Sequence, residues 1–157
     1  MTLDGELDSI DEALLLELQK DARQTNKALA AKVGVAPSTC LERMRELRAR
    51  GVIRGYRAEV DPGAIGRPME AILSIQQRPS HGRQDIESML THFRKLPETL
   101  RVMALTGTTD FIVHVAVRDM DHLRDVVWAL TERREVARLQ SSLIFAHESG
   151  PELMPLS

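Results

Sequence analysis

Cysteine is nearly absent from this chain. The 157 residues hold one, Cys40, which excludes an intrachain disulfide and leaves no cysteine cluster for zinc. No apolar run approaches the ~20 residues that a membrane helix needs, and the acidic N-terminus lacks the apolar core of a signal peptide, so no membrane partner and a cytoplasmic location are expected. The nine glycines are scattered, and none forms a Walker or dinucleotide fingerprint; neither ATP nor NAD is implied, and no cofactor is expected. His81, His92, His114, His122 and His147 fall on strand, helix and loop segments, no two at metal-ligand spacing. No nucleophile has a base nearby in sequence, so no catalytic residue and no metal site are expected. His114, centred in an apolar strand, reads as a packed or hydrogen-bonded histidine, and Cys40 as a small buried hydrophobe.

Net charge is small in total and uneven in place. The formal net charge is -2. From Met1 to Ala22 there are seven acidic residues and one lysine; from Arg23 to Arg57, nine basic residues stand against two glutamates. The remainder has eleven basic and fourteen acidic residues. A basic patch is thus embedded in an acidic chain, and the local field, not the total charge, steers a polyanion.

Within the patch, Asn26 to Gly51 predicts two helices around Gly34. The first is capped by Asn26, buries Leu29, Ala30 and Val33, and stops at Gly34. The turn Gly34-Val35-Ala36 then leads to a second helix of about fourteen residues, with Pro37 at its first position and Gly51 just past its end. On a 3.6-residue period Cys40, Met44 and Leu47 share one face with Leu41 on its flank, while Ser38, Glu42, Arg45 and Ala49 point the other way. A three-residue turn between two such helices is the helix-turn-helix pattern. In that motif the second helix enters the major groove while the first crosses the backbone. Ser38, Thr39, Glu42 and Arg45 are the candidate base readers: Arg45 for a guanine, Glu42 for a cytosine amino group, the hydroxyls for either bases or phosphate. Lys27, Arg43, Arg48, Arg54 and Arg57 suit phosphates. An ordinary helical hairpin with a solvated Glu42–Arg45 pair fits the same pattern.

The stretch GVAPSTCLERMRELRARGVIRGYRAEVDP resembles the helix-turn-helix signature of the Lrp/AsnC, or feast/famine, regulators. The resemblance extends back through Leu7-Asp8-Ser9-Ile10-Asp11 and Leu18-Gln19-Lys20-Asp21-Ala22-Arg23, and forward through nearly the whole chain. Two departures are visible: Ala36 stands where the family usually has a capping Ser, and Ala22 where it has Gly. The resemblance implies a transcriptional regulator that binds double-stranded DNA.

Before the patch, Leu7, Ile10, Leu14 and Leu18 recur at helical spacing behind an Asp8 N-cap, with Asp8, Asp11, Glu12 and Glu17 on a solvated surface. The first six residues are expected to fray. After Gly51, Tyr56, Ala58 and Val60 alternate with Arg57 and Glu59, which predicts a short ribbon and so a winged helix-turn-helix. In the family this segment helps to pair subunits. The breakers Asp61-Pro62-Gly63 and Gly66-Arg67-Pro68 mark a boundary. The expected division is residues 1–60 for DNA, 61–68 as linker, 69–149 as a second domain and 150–157 as tail.

The second half changes logic. Met69, Ala71, Leu73 and Ile75 alternate with Glu70, Ser74 and Gln76, a strand ended by Pro79-Ser80-His81-Gly82. Ile86, Met89, Leu90 and Phe93 stripe a helix that closes at Leu96-Pro97. A strand over 99–106 follows, then a turn at Gly107-Thr108-Thr109-Asp110 and a strand in which Phe111, Val113, Val115 and Val117 alternate with Ile112, His114 and Ala116. A helix capped by Asp119 or Asp121 carries Leu123, Val126, Val127 and Leu130, and Leu139, Leu143 and Phe145 lie on a last strand. The order βαββαβ predicts a ferredoxin-like sandwich, making the whole chain an α+β protein. One sheet face is left uncovered, and the simplest cover is a second copy in a symmetric dimer.

This half resembles the family's RAM domain, in which small effectors bind between dimers near the turn joining the middle strands. The resemblance implies an effector site at Thr106, Gly107, Thr108, Thr109 and Asp110, with backbone amides for a carboxylate and Asp110 for an amino group, as an amino acid would offer. It also implies a homodimer or an assembly of dimers such as an octamer. Gly, Thr and Asp are equally what any hairpin turn needs. Two other readings belong beside the regulator: a tetrapyrrole decarboxylase of the siroheme type, which resembles the family but would gather His or Arg around a propionate pocket, and an amino-acid sensor whose DNA-binding half is non-functional.

Overall fold

The computed structural model describes residues 6–79, 83–148 and 150–155. The expected fraying of the first residues and the strand-ending Ser80-His81-Gly82 lie outside them. The chain divides into two compact units, residues 1–58 with 148–157, and residues 59–147.

The first unit is three helices: α1 (Ser9–Lys20), α2 (Asn26–Val33) and α3 (Pro37–Ala49). Asp8 caps α1, its carboxylate accepting from the N–H groups of Ile10 at 3.0 Å and Asp11 at 2.9 Å. The cap of α2 is Thr25, not Asn26: the Thr25 hydroxyl accepts from Ala28 N at 3.2 Å. Asn26 is already helical, and its side-chain amide donates to Pro37 O at 2.8 Å, tying the start of α2 to the start of α3. Gly34 ends α2 in the left-handed region at φ 78, a conformation that side-chain-bearing residues reach only at a cost. Ala36 occupies the α3 cap position without a side-chain bond, as its methyl dictates. The helices close on Leu14, Leu29, Ala30, Cys40 and Leu47, with Met44 and Leu18 at the margin. Burial pushes the Cys40 thiol above its ordinary pKa, consistent with a packing role.

Two expectations fail here. Asp11 is not solvated; its residue is 3% exposed, held by Arg43. The ribbon at Tyr56–Val60 is not formed: 54–61 has no strand. Strand geometry needs a ladder partner, and among the described residues this chain supplies none. The tail lies in the same unit, where Gln19 Nε2 donates to Leu153 O at 2.9 Å and Leu153 N donates back to Gln19 Oε1 at 2.8 Å.

The second unit opens with a 3-10 turn at Gly63–Ile65 and then runs β1 (Met69–Gln77), α4 (Arg83–Lys95), β2 (Thr99–Ala104), β3 (Phe111–Val117), α5 (Met120–Thr131) and β4 (Val136–Leu143). The sheet order is β2-β3-β1-β4, every neighbour antiparallel. Ala71, Leu73, Ile75, Phe111, Val113 and Val115 point to one face, where Met89 and Phe93 of α4 and Leu123, Val126 and Leu130 of α5 close the core. Phe93 meets Phe111 edge to face, centroids 5.3 Å apart. Ile86 is exposed, and Phe145 lies beyond β4 at 99% exposure, outside the core expected for both. The opposite face carries Glu70, Ile72, Ile112 and His114, with His114 Nε2 2.6 Å from Glu70 Oε2.

The bonds to the Ile10 and Asp11 amides, together with Arg43, hold the Asp8 carboxyl below the usual carboxylate range, Asp11 N–H first. A depressed folded pKa contributes stability that is present above the unfolded value and lost as pH falls through the folded one. Asp8→Ala should therefore lower the melting temperature at neutral pH, and the gap from the parent should close on acidification. Thermal unfolding followed by circular dichroism between neutral pH and the acid limb measures it.

Candidate nucleic-acid interface and effector turn

α3 is positioned from both ends. Pro37 starts it, the Asn26 amide grips its first carbonyl, and Gly51 at φ 74 releases the chain after it. Cys40 and Leu47 point inward, so the helix period sends Ser38, Glu42 and Arg45 outward, and all three are exposed. Thr39 is half-buried on the flank of the same turn.

The basic residues separate into two sets. Arg43 is turned inward: its guanidinium Nη1 lies 2.7 Å from Asp8 Oδ2 and 3.3 Å from Asp11 Oδ1. Lys32 meets Glu17 at 2.9 Å, and Lys20 meets the other oxygen of that carboxylate at 3.3 Å. These cations neutralise the acidic first helix. Lys27, Arg45, Arg48, Arg54 and Arg57 are all exposed, and none has an ion-pair partner among the described residues. The unit thus pairs Asp8, Asp11 and Glu17 internally and, among the described residues, leaves unpaired cations on α2, α3 and the segment after it, a surface suited to a polyanion.

In the second unit the β2–β3 turn is held at its root. Leu105 N donates to Asp110 O at 2.8 Å and Asp110 N to Ile75 O at 3.0 Å. The Asp110 carboxylate accepts the Gln77 N–H through Oδ2 at 2.7 Å, and the Gln76 side-chain amide donates to Thr108 O. Thr106, Gly107 and Thr108 are exposed, with Thr109 and Asp110 half-buried. Gly107 sits at φ 117, where a β-carbon would be strained although nothing crowds the position. The N–H groups of Gly107, Thr108 and Thr109 find no acceptor among the described residues, so a carboxylate could take them, with Asp110 Oδ1 at hand for an ammonium.

Gln76 and Gln77 escaped the sequence reading. Their signal was available: two amides at the end of an otherwise apolar alternation, on a strand whose antiparallel register ends beside Phe111.

A surface of unpaired cations on a helix-turn-helix, beside a βαββαβ unit with a polar turn, defines a DNA-binding regulator with a ligand-binding domain. Residues 7–54 match the winged helix-turn-helix DNA-binding family and residues 70–149 the Lrp/AsnC ligand binding domain. The chain belongs to the Lrp/AsnC family of transcriptional regulators. It is 46% identical over 146 residues to the HTH-type transcriptional regulator AldR of Mycolicibacterium smegmatis, covering 92% of this chain and 85% of that one. It is 34% identical over 123 residues to the leucine-responsive regulatory protein of Escherichia coli, covering 78% and 74%. Among solved structures, a Neisseria meningitidis transcriptional regulator in complex with L-Met superposes with a TM-score of 0.84 at 29% identity, covering 96% of this chain and 97% of that one. These relatives are regulators, not enzymes, which removes the decarboxylase reading. No helix of the described residues is long and apolar enough to cross a membrane.

The two cation sets predict two phenotypes. Arg43→Ala leaves the buried Asp11 carboxylate without its partner and should lower the melting temperature clearly. Arg45→Ala removes an exposed, unpaired side chain and should leave it within experimental scatter. Parallel thermal melts decide.

Proposed function

We propose that the protein regulates transcription by binding specific DNA through residues 26–57, and that a small effector, an amino acid or a related metabolite, bound at Thr106–Asp110 alters this binding. Ser38, Thr39, Glu42 and Arg45 read bases; Lys27, Arg48, Arg54 and Arg57 hold phosphates, with Arg43 fixing α3 from behind. The observation that carries the reading is the exposed Arg45 on the outer face of α3, which like Arg48 on the same helix and Lys27 on α2 has no ion-pair partner among the described residues. The effector class is supported by the free amides of the turn, by the L-Met named in the Neisseria complex and by the leucine in the name of the Escherichia coli relative.

The sheet face bearing Ile72 and Ile112 pairs with the same face of a second copy, and dimers assemble further, an octamer being one closed form. Effector binding changes the spacing of the dimers and so the free energy of engaging several half-sites together. The working division is residues 1–60 for DNA, 61–68 as linker, 69–149 for effector and assembly, and 150–157 as tail. A regulator whose target is DNA and whose relatives are bacterial works in the cytoplasm.

Fluorescence anisotropy on DNA from upstream of the protein's own gene, against scrambled DNA across a salt series, tests the first half. Preferential binding that weakens steeply with salt is expected. No binding to either at low salt would leave a sensor with a non-functional DNA half. Arg45→Ala should weaken specific binding by ~1–3 kcal/mol; an equal loss on scrambled DNA would make it a phosphate contact instead.

For the turn, Asp110→Asn is the sharper variant, because the amide oxygen still accepts the Gln77 N–H while the charge for an ammonium is gone. The expected result is normal DNA binding without effector and no response to the amino acids that shift the parent. A retained response would move the effector site elsewhere.

A further inference from the structure

A cleft of about 340 Å³ runs between the end of α4 and the length of α5, on the helix-covered side of the sheet. Its floor is apolar, made by Leu96, Val126, Ala129 and Leu130. Its two ends differ in charge. At one, Arg133 Nη1 approaches His92 Nδ1 at 3.4 Å, while its Nη2 donates to Glu135 Oε1 at 3.2 Å. At the other, His122 Nε2 lies 3.1 Å from Glu98 Oε1, with Asp125 also on the lining. Met120–Thr131 is helical, so at 1.5 Å per residue the nine steps from His122 to Thr131 span roughly 14 Å of backbone, and Arg133 follows two residues past the helix end.

The hydrogen bonds fix which atoms are offered. Arg118 N donates to His122 Nδ1 at 3.3 Å, so the ring proton sits on Nε2 and is donated to Glu98; Glu98 Oε2 and Asp125 Oδ2 remain as acceptors, Asp125 Oδ1 taking the Arg124 guanidinium at 3.5 Å. His92 is held below the ordinary histidine range by burial and then by Arg133. Its neutral ring accepts from Arg133 at Nδ1, leaving Nε2–H as a donor beside the guanidinium. One end of the cleft therefore offers donors, its guanidinium charge shared with Glu135, and the other offers acceptors and negative charge, with hydrocarbon between. The volume lies at the low end of the ~300–1,000 Å³ typical of ligand pockets.

We propose that this cleft binds a linear α,ω-amino acid, its carboxylate at Arg133 and His92, its ammonium at Glu98 and Asp125, and its methylene chain over Val126, Ala129 and Leu130. The site lies within one chain and is separate from the Thr106–Asp110 turn. An amino acid whose only ammonium and carboxylate share one carbon cannot reach both ends, whereas lysine, whose ε-ammonium and carboxylate span the same chain as ε-aminocaproate, can.

The test is a titration of the full-length protein with ε-aminocaproate, following the imidazole NMR signals of His92 and His122, with caproate and hexylamine as probes lacking one end each. Saturable shifts of both histidines are expected, with caproate and hexylamine at least tenfold weaker, about 1.4 kcal/mol. Ala129→Phe, which fills the floor from an exposed helix position, and Arg133→Gln should each weaken binding at least tenfold, whereas Asp110→Asn should leave it unchanged. If Arg133→Gln unfolds, Ala129→Phe carries the test. Absence of shifts at millimolar probe, equal binding of hexylamine, indifference to Ala129→Phe, or loss in Asp110→Asn would each overturn the proposal. Because Asp110→Asn addresses the turn alone, failure here and failure of the turn reading are distinguishable.

Discussion

The contact on which the first unit depends is Arg43 between Asp8 and Asp11. Asp11 is buried, and a buried carboxylate persists only if a counter-charge and hydrogen bonds replace its water. Arg43 supplies the charge from α3, while Asp8 shares the guanidinium and caps α1 with its other oxygen. One cation therefore fixes where α1 begins and how α3 is rotated against it. That rotation puts Cys40 and Leu47 inside and Arg45 outside. The acidic first helix, unfavourable beside a polyanion, becomes the clamp for α3.

In the second unit the equivalent constraint is alternation. β1 is central, paired on both edges, and its odd-numbered residues are buried under two helices while its even-numbered ones face away. A one-residue slip would exchange the faces. The register also decides where β1 ends relative to β3, which is why Gln76 and Gln77 arrive beside the turn and brace it.

The regular parts of both units were legible because they are periodic. Cys40, Met44 and Leu47 on a 3.6-residue period, and Phe111, Val113 and Val115 on a period of two, announce an inside and an outside without tertiary information. The departures have a different cause: periodicity does not say which partner a residue finds or where pairing stops. Asp11 looked solvated because Arg43 is 32 positions on. Asn26 is a good cap residue by type, but Thr25 reaches the amide first and Pro37 offers Asn26 another use. Tyr56 to Val60 alternates as a strand does, yet alternation supplies no ladder, and the described residues provide none. Phe145 fits the last strand's period but falls past its final pair at Leu143. Of the candidate site, the outward face of α3 was readable from periodicity, whereas the inward turn of Arg43 and the Gln76–Gln77 brace were not. The likeness to Lrp/AsnC regulators supplied the function, which periodicity alone could not have separated from a helical hairpin.

The scarcity of special side chains has a practical result. The sole thiol, Cys40, is sealed in the middle of the three helices, and the sole tryptophan, Trp128, stands exposed on α5 beneath Arg124. Each unit thus carries a private reporter with no counterpart in the other. Consumption of a thiol reagent would time the opening of the helical unit alone, while indole emission would register events on the sheet unit, so the two can be watched independently in the unmodified chain.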